Sequence, residues 1–298
     1  MSRVAVSAKT NEIRIEVRTA RPADAEACGR IAYDAFEGVA ERHGFRPDFP
    51  SREVAIDALG AWIAHPAIFG VVAERNGRVV GSNFLDERDA VRGVGPVTVS
   101  PAAQGHGVGR RLMEAVLGRS ADSAGSRLLE DPHNPVALSL YASLGFAVKE
   151  PVALLSGRPS GDPAPGYDVR PLEENDLEEC ERLCLRVHGL ARTNELRDAL
   201  SGAMLSPVVA VRDGRVTAYT SGTAFFSHGV AETDNDMCAL LLGAAANGGL
   251  IEFLLPMRQA GMFRWCLEQR MRIVKPMTLM AVGDYRDPDG CWFPSILY

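Results

Sequence analysis

The chain of 298 residues is longer than one compact core usually holds, so we expect two domains. Its net charge of −6, with no long basic run to offset it, argues against nucleic acid as the main partner. No apolar run reaches the length of a membrane span, and residues 1–12, which we expect to be disordered, contain no signal-peptide pattern. The sequence therefore predicts a cytoplasmic protein with no membrane partner.

The six cysteines form neither a Cys-x-x-Cys pair nor a zinc-ligand spacing with the six histidines. Cys180 and Cys184 are one helical turn apart, a spacing that more often places two side chains on one buried face than at a metal. We therefore expect free thiols and no metal ion.

The first half of the chain alternates strand and helix patterns. Residues 13–18 alternate apolar and charged side chains as a half-buried strand does, and Pro22 then opens a helix. The amphipathic run 54–63 predicts a second helix. Asn76-Gly77 predicts the tight turn of a hairpin that spans 68–85.

Three glycines within residues 105–109 follow a strand pattern over 94–99 and precede a helical pattern. Without Cβ atoms the backbone can press against a ligand, and successive N–H groups converge at the positive end of the helix. This arrangement suits a phosphate or pyrophosphate, and Arg110 and Arg111 add positive charge beside it. The spacing matches neither the P-loop nor the dinucleotide fingerprint. His106 is placed to contact phosphate or solvent rather than to act as a base.

A second segment, 134–148, combines a helix with the start of a strand. Asn134 is placed to cap the helix, Tyr141 lies within it, and Gly145 lies where a C-terminal glycine ends a helix. The residue after that glycine, Phe146, precedes the closing strand.

Together these two segments resemble the GCN5-related N-acetyltransferases, the GNAT family. The pattern Gln104-x-x-Gly107-x-Gly109 after an apolar strand is similar to the family's acetyl-CoA loop, and 134–148 is similar to its last conserved stretch. The resemblance implies an α/β fold with a mixed, mostly antiparallel sheet flanked by helices, and acetyl-CoA as the cofactor. It implies the cofactor-binding residues Val97, Thr98, Val99, Gln104, Gly105, His106, Gly107, Val108, Gly109, Arg110, Arg111, Asn134, Ala137 and Tyr141.

The resemblance also assigns catalytic roles. Tyr141 matches the family's general acid, because a phenol of pKa ~10 keeps its proton until a thiolate departs, although a Tyr packed under the sheet is the alternative. Asn134 either contacts pantetheine or only caps its helix. No motif identifies the base, for which Glu87 is the candidate within the cluster Asp86, Glu87 and Asp89, and a solvated turn is the alternative.

The second half of the chain repeats the first. A Pro/Gly-rich linker, 157–166, separates a predicted catalytic domain, 13–156, from a second domain, 167–298. Val17-Arg18 with Asp24 recurs as Val169-Arg170 with Asp176, the turn Asn76-Gly77 recurs as Asp213-Gly214, and 148–151 aligns with 274–276, so that Tyr141 aligns with Cys266 and Gly145 with Arg270. The sequence predicts two tandem GNAT-like domains.

The second copy lacks the cofactor motifs. Where the glycine loop should fall, residues 236–249 read as a helix, so we expect this copy to be degenerate and to bind no cofactor. We expect it to form one wall of the acceptor cleft, and its apolar tail, 291–298, to pair as a strand or pack at the domain interface.

These observations predict an acetyl-CoA-dependent N-acetyltransferase. A primary amine of a small molecule or peptide would attack the thioester directly, and the alternative is a non-catalytic acyl-CoA-binding sensor or scaffold. Polyamines, aminoglycosides, amino acids and protein N-termini all stay open as acceptors, as do a monomer and a homodimer.

Overall fold

The computed structural model describes residues 15–202, 205–246 and 249–298. The predicted disordered segment 1–12 and the first two residues of the predicted strand at 13–18 lie outside these ranges. The strands in chain order are β1 Ile15–Thr19, β2 Ile68–Arg75, β3 Arg78–Asp86, β4 Val91–Val94, β5 Thr98–Val99, β6 Gly125–Glu130, β7 Ala147–Gly157, β8 Tyr167–Pro171, β9 Val208–Arg212, β10 Arg215–Thr220, β11 Gly229–Ala231, β12 Ile251–Pro256, β13 Arg272–Gly283 and β14 Cys291–Phe293. The helices are α1 Ala25–His43, α2 Arg52–Ala64, α3 Val108–Arg119, α4 Pro135–Ser143, α5 Leu177–His188, α6 Thr193–Ser201, α7 Asp234–Ala246 and α8 Ala260–Glu268.

The strands form two sheets. The larger has the order β1-β2-β3-β4-β6-β13-β7-β12, with β5 paired to β3, and the smaller has the order β14-β11-β10-β9-β8. Among the described strand pairs only β4 and β6 run parallel. The predicted α/β fold, a mixed and mostly antiparallel sheet flanked by helices, is confirmed.

The internal repeat is visible in two equivalent ion pairs. In the first copy Arg18 of β1 donates to the carboxylate of Asp24, with its Nη1 2.7 Å from Oδ2. In the second copy Arg170 of β8 donates to Asp176 at the same 2.7 Å. Each pair joins the first strand of its copy to the 3-10 turn that begins the first helix. The arginine is the main cause that lowers the pKa of each aspartate.

Turns repeat as well. Asn76 and Gly77 have φ values of 53° and 71°, and Asp213 and Gly214 have values of 52° and 76°, so both hairpins turn through two left-handed residues. The equivalent helices differ in length, because α1 and α2 have 19 and 13 residues and α5 and α6 have 12 and 9.

The copies exchange strands. The last long strand of the second copy, β13, lies between β6 and β7 of the first copy, and β12 pairs with the outer side of β7. Residues 158–166 contain no helix or strand, in line with a linker. The division of the chain at 157–166 stays a prediction, to which the structure adds that β12 and β13 belong to the sheet of the first copy.

The C-terminal tail pairs as a strand, as the sequence predicted. β14 pairs antiparallel with β11, and Trp292 within it is 1% exposed. The chain then continues across β4, where a Cβ added to Gly93 would lie 1.7 Å from the carbonyl oxygen of Leu297. The tail therefore covers the first copy and requires a glycine beneath it. No helix in the described ranges is long and apolar enough to cross a membrane.

We expect Gly93→Ala to lower the free energy of unfolding by about 1–3 kcal/mol, because the new methyl group overlaps the Leu297 backbone. Gly60→Ala is the matched control: it lies inside α2 with its nearest neighbour at 3.5 Å, and alanine there should be neutral or stabilise by ~0.5–1 kcal/mol. Urea unfolding measures both. Equal stability of the two variants would contradict the tail packing.

Candidate active site

The glycine loop joins β5 to α3 and leaves its backbone open. Gly105 and Gly107 have φ values of 76° and 75°, a region that favours glycine, and Gly107 is the N-terminal cap of α3. A Cβ added at either position would meet no atom within 4 Å. Space beside the first N–H groups of α3 is therefore available to a ligand rather than filled by the protein.

A groove of about 540 Å³ begins at this loop and runs between α1 and the start of α4. The structure brings together there the predicted residues Val97, Val99, Gln104, Gly105, Gly107, Val108, Gly109, Arg110, Asn134, Ala137 and Tyr141. Sequence reasoning missed Arg42 and His43, from the last turn of α1, and His133. A basic pair at a helix end was the only available signal for the first two. Arg42 and Arg110 place positive charge along the groove.

Three predicted cofactor residues do not line the groove. Thr98 is buried, and its hydroxyl lies 3.0 Å from that of Ser82. His106 is exposed, with its Nδ1 2.8 Å from the backbone carbonyl oxygen of Gln104. Arg111 is directed to β1, where it donates to the carbonyl oxygen of Ile15 at 2.7 Å.

The middle of the large sheet opens where the groove passes. β4 pairs with β6 only as far as Gly93 and Arg127, whereas the chain beyond stays paired with β3, first through Val94 and then through Thr98 and Val99. Two parallel strands therefore diverge, and the backbone around Val97 lines the gap between them. Asn134 faces the same gap, and its Oδ1 accepts from the N–H of Ala137 at 3.2 Å, which confirms the predicted cap.

Tyr141 lies where the groove meets a second cavity, since it lines both. The side chain is held on α4 and packs edge-on against Phe146, with ring centroids 6.3 Å apart. Burial raises the pKa of Tyr141 far above its ordinary value, and the carboxylates of Glu130 and Asp131 raise it further. The phenol therefore keeps its proton at neutral pH.

The second cavity has a volume of about 130 Å³ and lies between the two copies. Its walls are mainly aromatic and aliphatic. The first copy contributes Phe36, Phe49, Trp62, Leu128 and Leu129, and the second copy contributes Phe225, Phe226, Met277, Ile296 and Leu297. The second copy thus forms one wall of this cavity, and its predicted role at the acceptor cleft stays a prediction.

Glu130 ends β6 at the floor of this cavity and is only 5% exposed. Burial raises its pKa to about 7, the charge of Asp131 adds to the shift, and the Thr278 hydroxyl partly opposes it. Neither carboxylate oxygen has a hydrogen bond of ordinary geometry to the described residues. Sequence reasoning missed Glu130. The available signal was a carboxylate at the end of an apolar strand.

Two further carboxylates at the cavity are paired with one lysine. Lys275 of β13 is 5% exposed, and its Nζ lies 2.7 Å from Asp48 and 3.0 Å from Asp131. The two aspartates raise the pKa of the ammonium group, so it stays charged. A residue of the second copy thereby joins the α1–α2 connection to the end of β6.

The structure does not bring Glu87 to either cavity. Glu87 pairs with Arg119 at the end of α3, where Nε and Oε1 are 3.1 Å apart. Its neighbour Asp89 accepts from the backbone N–H groups of Asn194 and Glu195 at the start of α6. The acidic cluster after β3 therefore stabilises contacts around the loop that precedes β4, whereas the gap opens beyond Gly93 at the other end of that strand.

In the second copy no glycine loop precedes the equivalent helix. α7 begins at Asp234, and its first turn contains Asp234 and Asp236. Asp236 is fully buried, accepts from the Tyr167 hydroxyl at 2.9 Å and pairs with Arg212 at 3.3 Å. Carboxylates of the protein thus occupy the helix end that an anion would need.

Comparison with known proteins agrees with this geometry. Residues 66–148, which include the glycine loop and α4, match the acetyltransferase (GNAT) domain family. A mycothiol acetyltransferase of Nocardia farcinica is 32% identical over 141 residues. That alignment covers 45% of each chain, so less than half the length of this relative is matched.

Solved structures match over nearly the whole chain. A Pyrococcus horikoshii protein assigned as an acetyltransferase aligns with a TM-score of 0.72 and 16% identity over 95% of this chain and 94% of its own. A tandem GNAT protein from the clavulanic acid biosynthesis pathway aligns with a TM-score of 0.56 and 17% identity over 90% of this chain and 98% of its own. At such identities the likeness establishes the fold. Residues 66–148 thus match the GNAT domain family, and the chain as a whole shares the fold of these two solved structures.

Proposed function

We propose that the protein is an N-acetyltransferase that transfers the acetyl group of acetyl-CoA to the primary amine of a small molecule. One observation carries the proposal: a groove with an open glycine loop and a cavity with a buried carboxyl group meet at Tyr141. Each cavity alone would fit many binding proteins. Their junction at a protonated phenol suits acyl transfer, since donor and acceptor reach it from opposite sides.

The groove fits acetyl-CoA. Gly105, Gly107 and the first N–H groups of α3 would hold the pyrophosphate, and Arg42 and Arg110 would offset its charge. The gap between β4 and β6 would hold the pantetheine arm, beside Asn134 and Ala137. Acetyl-CoA supplies an acetyl group already activated as a thioester, so positioning contributes much of the rate.

Glu130 and Tyr141 divide the proton transfers. Glu130 would accept a proton from the acceptor ammonium group, because its pKa of about 7 makes it a base at neutral pH. The amine nitrogen then attacks the thioester carbonyl carbon. As the carbon–sulfur bond breaks, Tyr141 would donate its phenolic proton to the departing sulfur, and the second proton, which the nitrogen loses as the amide forms, would restore the phenol. Glu130 replaces Glu87 in this role, since it lies in the cavity that the amine would occupy.

An acyl-CoA-binding sensor or scaffold is the rival function. Such a protein would need the groove but not the cavity behind Tyr141. Burying Glu130 without a basic partner destabilises the fold, and an enzyme that needs a base of raised pKa has a reason to keep it. The similarity to a mycothiol acetyltransferase also supports transfer of an acetyl group.

Gly107→Val should abolish acetyl-CoA binding while the fold persists, because the new side chain would project into the groove from a left-handed position. Gly118→Val, on the exposed end of α3 with no atom within 4 Å, is the matched control and should keep the affinity. Calorimetry should give one acetyl-CoA per chain for the wild type. Unchanged affinity of Gly107→Val, or two sites per chain, would contradict the assignment.

Tyr141→Phe should keep acetyl-CoA affinity and lower kcat by about 10²–10⁴-fold, since only the donated proton is lost. Tyr33→Phe removes a hydroxyl that donates to Glu37 outside both cavities, so it should leave turnover unchanged. Release of the CoA thiol measures both variants. Turnover of Tyr141→Phe within twofold of the wild type would reassign Tyr141 to packing.

Glu130→Gln should remove the rise of kcat/KM with pH that the wild type shows through about pH 7, because the variant has no base to deprotonate. The pKa of Glu130 in the folded protein lies above the ordinary value of 4.5, so its contribution to stability is lost as pH rises through about 7. The variant should therefore melt at a higher temperature than the wild type at pH 8 and at a similar one at pH 4. If kcat/KM of Glu130→Gln still rises through about pH 7, Glu130 is not the base. If the variant melts at a lower temperature than the wild type at pH 8, the pKa of Glu130 is not raised.

A further inference from the structure

We infer, resting on the proposed function, that the acceptor is a monoamine with a compact apolar body and no carboxylate. Its amine would lie beside Glu130, and its body would fill the cavity between the two copies. Three features of the cavity carry this inference: its walls, its missing cations and the pairing of its aspartates.

Aromatic rings form much of the wall. The rings of Phe225 and Phe226 are 4.1 Å apart, and Phe226 packs edge-on against Trp62 at 6.2 Å. On the other side the rings of Phe36 and Phe49 are 6.0 Å apart. A volume of about 130 Å³ is well below the roughly 300–1,000 Å³ of pockets for drug-sized ligands, so the body is no larger than about one ring or a short branched chain.

No lysine, arginine or histidine lines the cavity among the described residues. Lys275 lies beside two of the lining residues, but both of these, Asp48 and Asp131, already pair with it. A carboxylate on the acceptor would be buried without a cation and would face Glu130. Burial of an unpaired charge is strongly unfavourable, so free amino acids are poor acceptors.

The cavity offsets one positive charge but not several. Asp48 and Asp131 are both held by the Lys275 ammonium group, so Glu130 is the carboxyl group of the cavity left to pair with a single acceptor ammonium group. A second ammonium would lie against Ile296 and Leu297, where it would lose water without gaining a partner. Polyamines and aminoglycosides are therefore poor acceptors as well.

The second copy provides the residues that set this preference. Met277 comes from the exchanged strand β13, Phe225 and Phe226 follow β10, and Ile296 and Leu297 belong to the tail. None of these positions contacts the glycine loop groove. Acceptor choice can thus be changed from the second copy without a change in acetyl-CoA binding.

The test compares acceptors that differ in their charged groups. Acetyl transfer to 2-phenylethylamine, phenylalanine methyl ester, phenylalanine and spermidine is measured as CoA thiol release at pH 8, with the full-length protein. We expect kcat/KM for the ester to exceed that for phenylalanine by on the order of 10²-fold, because the two differ in the buried carboxylate. The kcat/KM for 2-phenylethylamine should exceed that for spermidine by a similar factor.

Two variants test the wall directly. Ile296→Lys places a cation at the partly exposed rim of the cavity and should raise the use of phenylalanine relative to its ester about tenfold. Ile273→Lys makes the same change at a half-exposed position of β13 that lines neither cavity, so it should leave that ratio unchanged. Phe226→Ala should raise KM for 2-phenylethylamine and keep the affinity for acetyl-CoA.

The outcomes separate the two proposals. Failure to bind acetyl-CoA, or binding without turnover of any amine tested, overturns the proposed function. Binding of acetyl-CoA with phenylalanine or spermidine as the best acceptor overturns the inference alone. An unchanged ratio of phenylalanine to ester in a folded Ile296→Lys that still binds acetyl-CoA also overturns the inference, because the rim would then not contact the acceptor.

Discussion

Insertion of β13 between β6 and β7 is the constraint on which the rest of the structure depends. In the described part of the chain β6 has no contact with β7 as a sheet neighbour, and each of them pairs with β13 instead. The inserted strand pairs Thr278 with Glu130 and brings Lys275 to Asp48 and Asp131. The same backbone pairing that completes the sheet therefore also assembles the floor of the proposed acceptor cavity, so neither could form without the second copy.

The burial of the carboxyl groups at the site determines its electrostatics. Glu130 lies under the cavity without a basic partner, which raises its pKa, whereas Asp48 and Asp131 lie beside a lysine that offsets their charge. Burial raises the pKa of Asp48 as well, but Lys275 opposes that shift, because its ammonium group reaches Asp48 and Asp131 and does not pair with Glu130. The raised pKa of Tyr141 follows in part from Glu130 and Asp131, so the proposed acid and base influence each other.

Local signals were predictable from the sequence, and contacts between distant segments were not. The Asn134 cap, the left-handed Gly107 and the hairpin turns each depend on a few adjacent residues, and the structure contains them. The strand exchange has no such signal, because the sequence of β13 predicts a strand whichever copy's sheet that strand joins. Glu87 was chosen as the base by its place in the chain, whereas Glu130 lies at the cavity only because β4 and β6 diverge.

The second copy keeps a backbone turn of the first copy but lacks its glycine loop. Arg270 aligns with Gly145 and keeps a left-handed φ of 59°, where the first copy has 94° at a glycine. The turn into β13 is therefore preserved at the cost of a strained side chain, since β13 completes the first sheet. At α7, by contrast, the buried Asp236 and the exposed Asp234 occupy the helix end at which the first copy has its open glycine loop. Residues that support the neighbouring copy persist, and those that would serve a second cofactor do not.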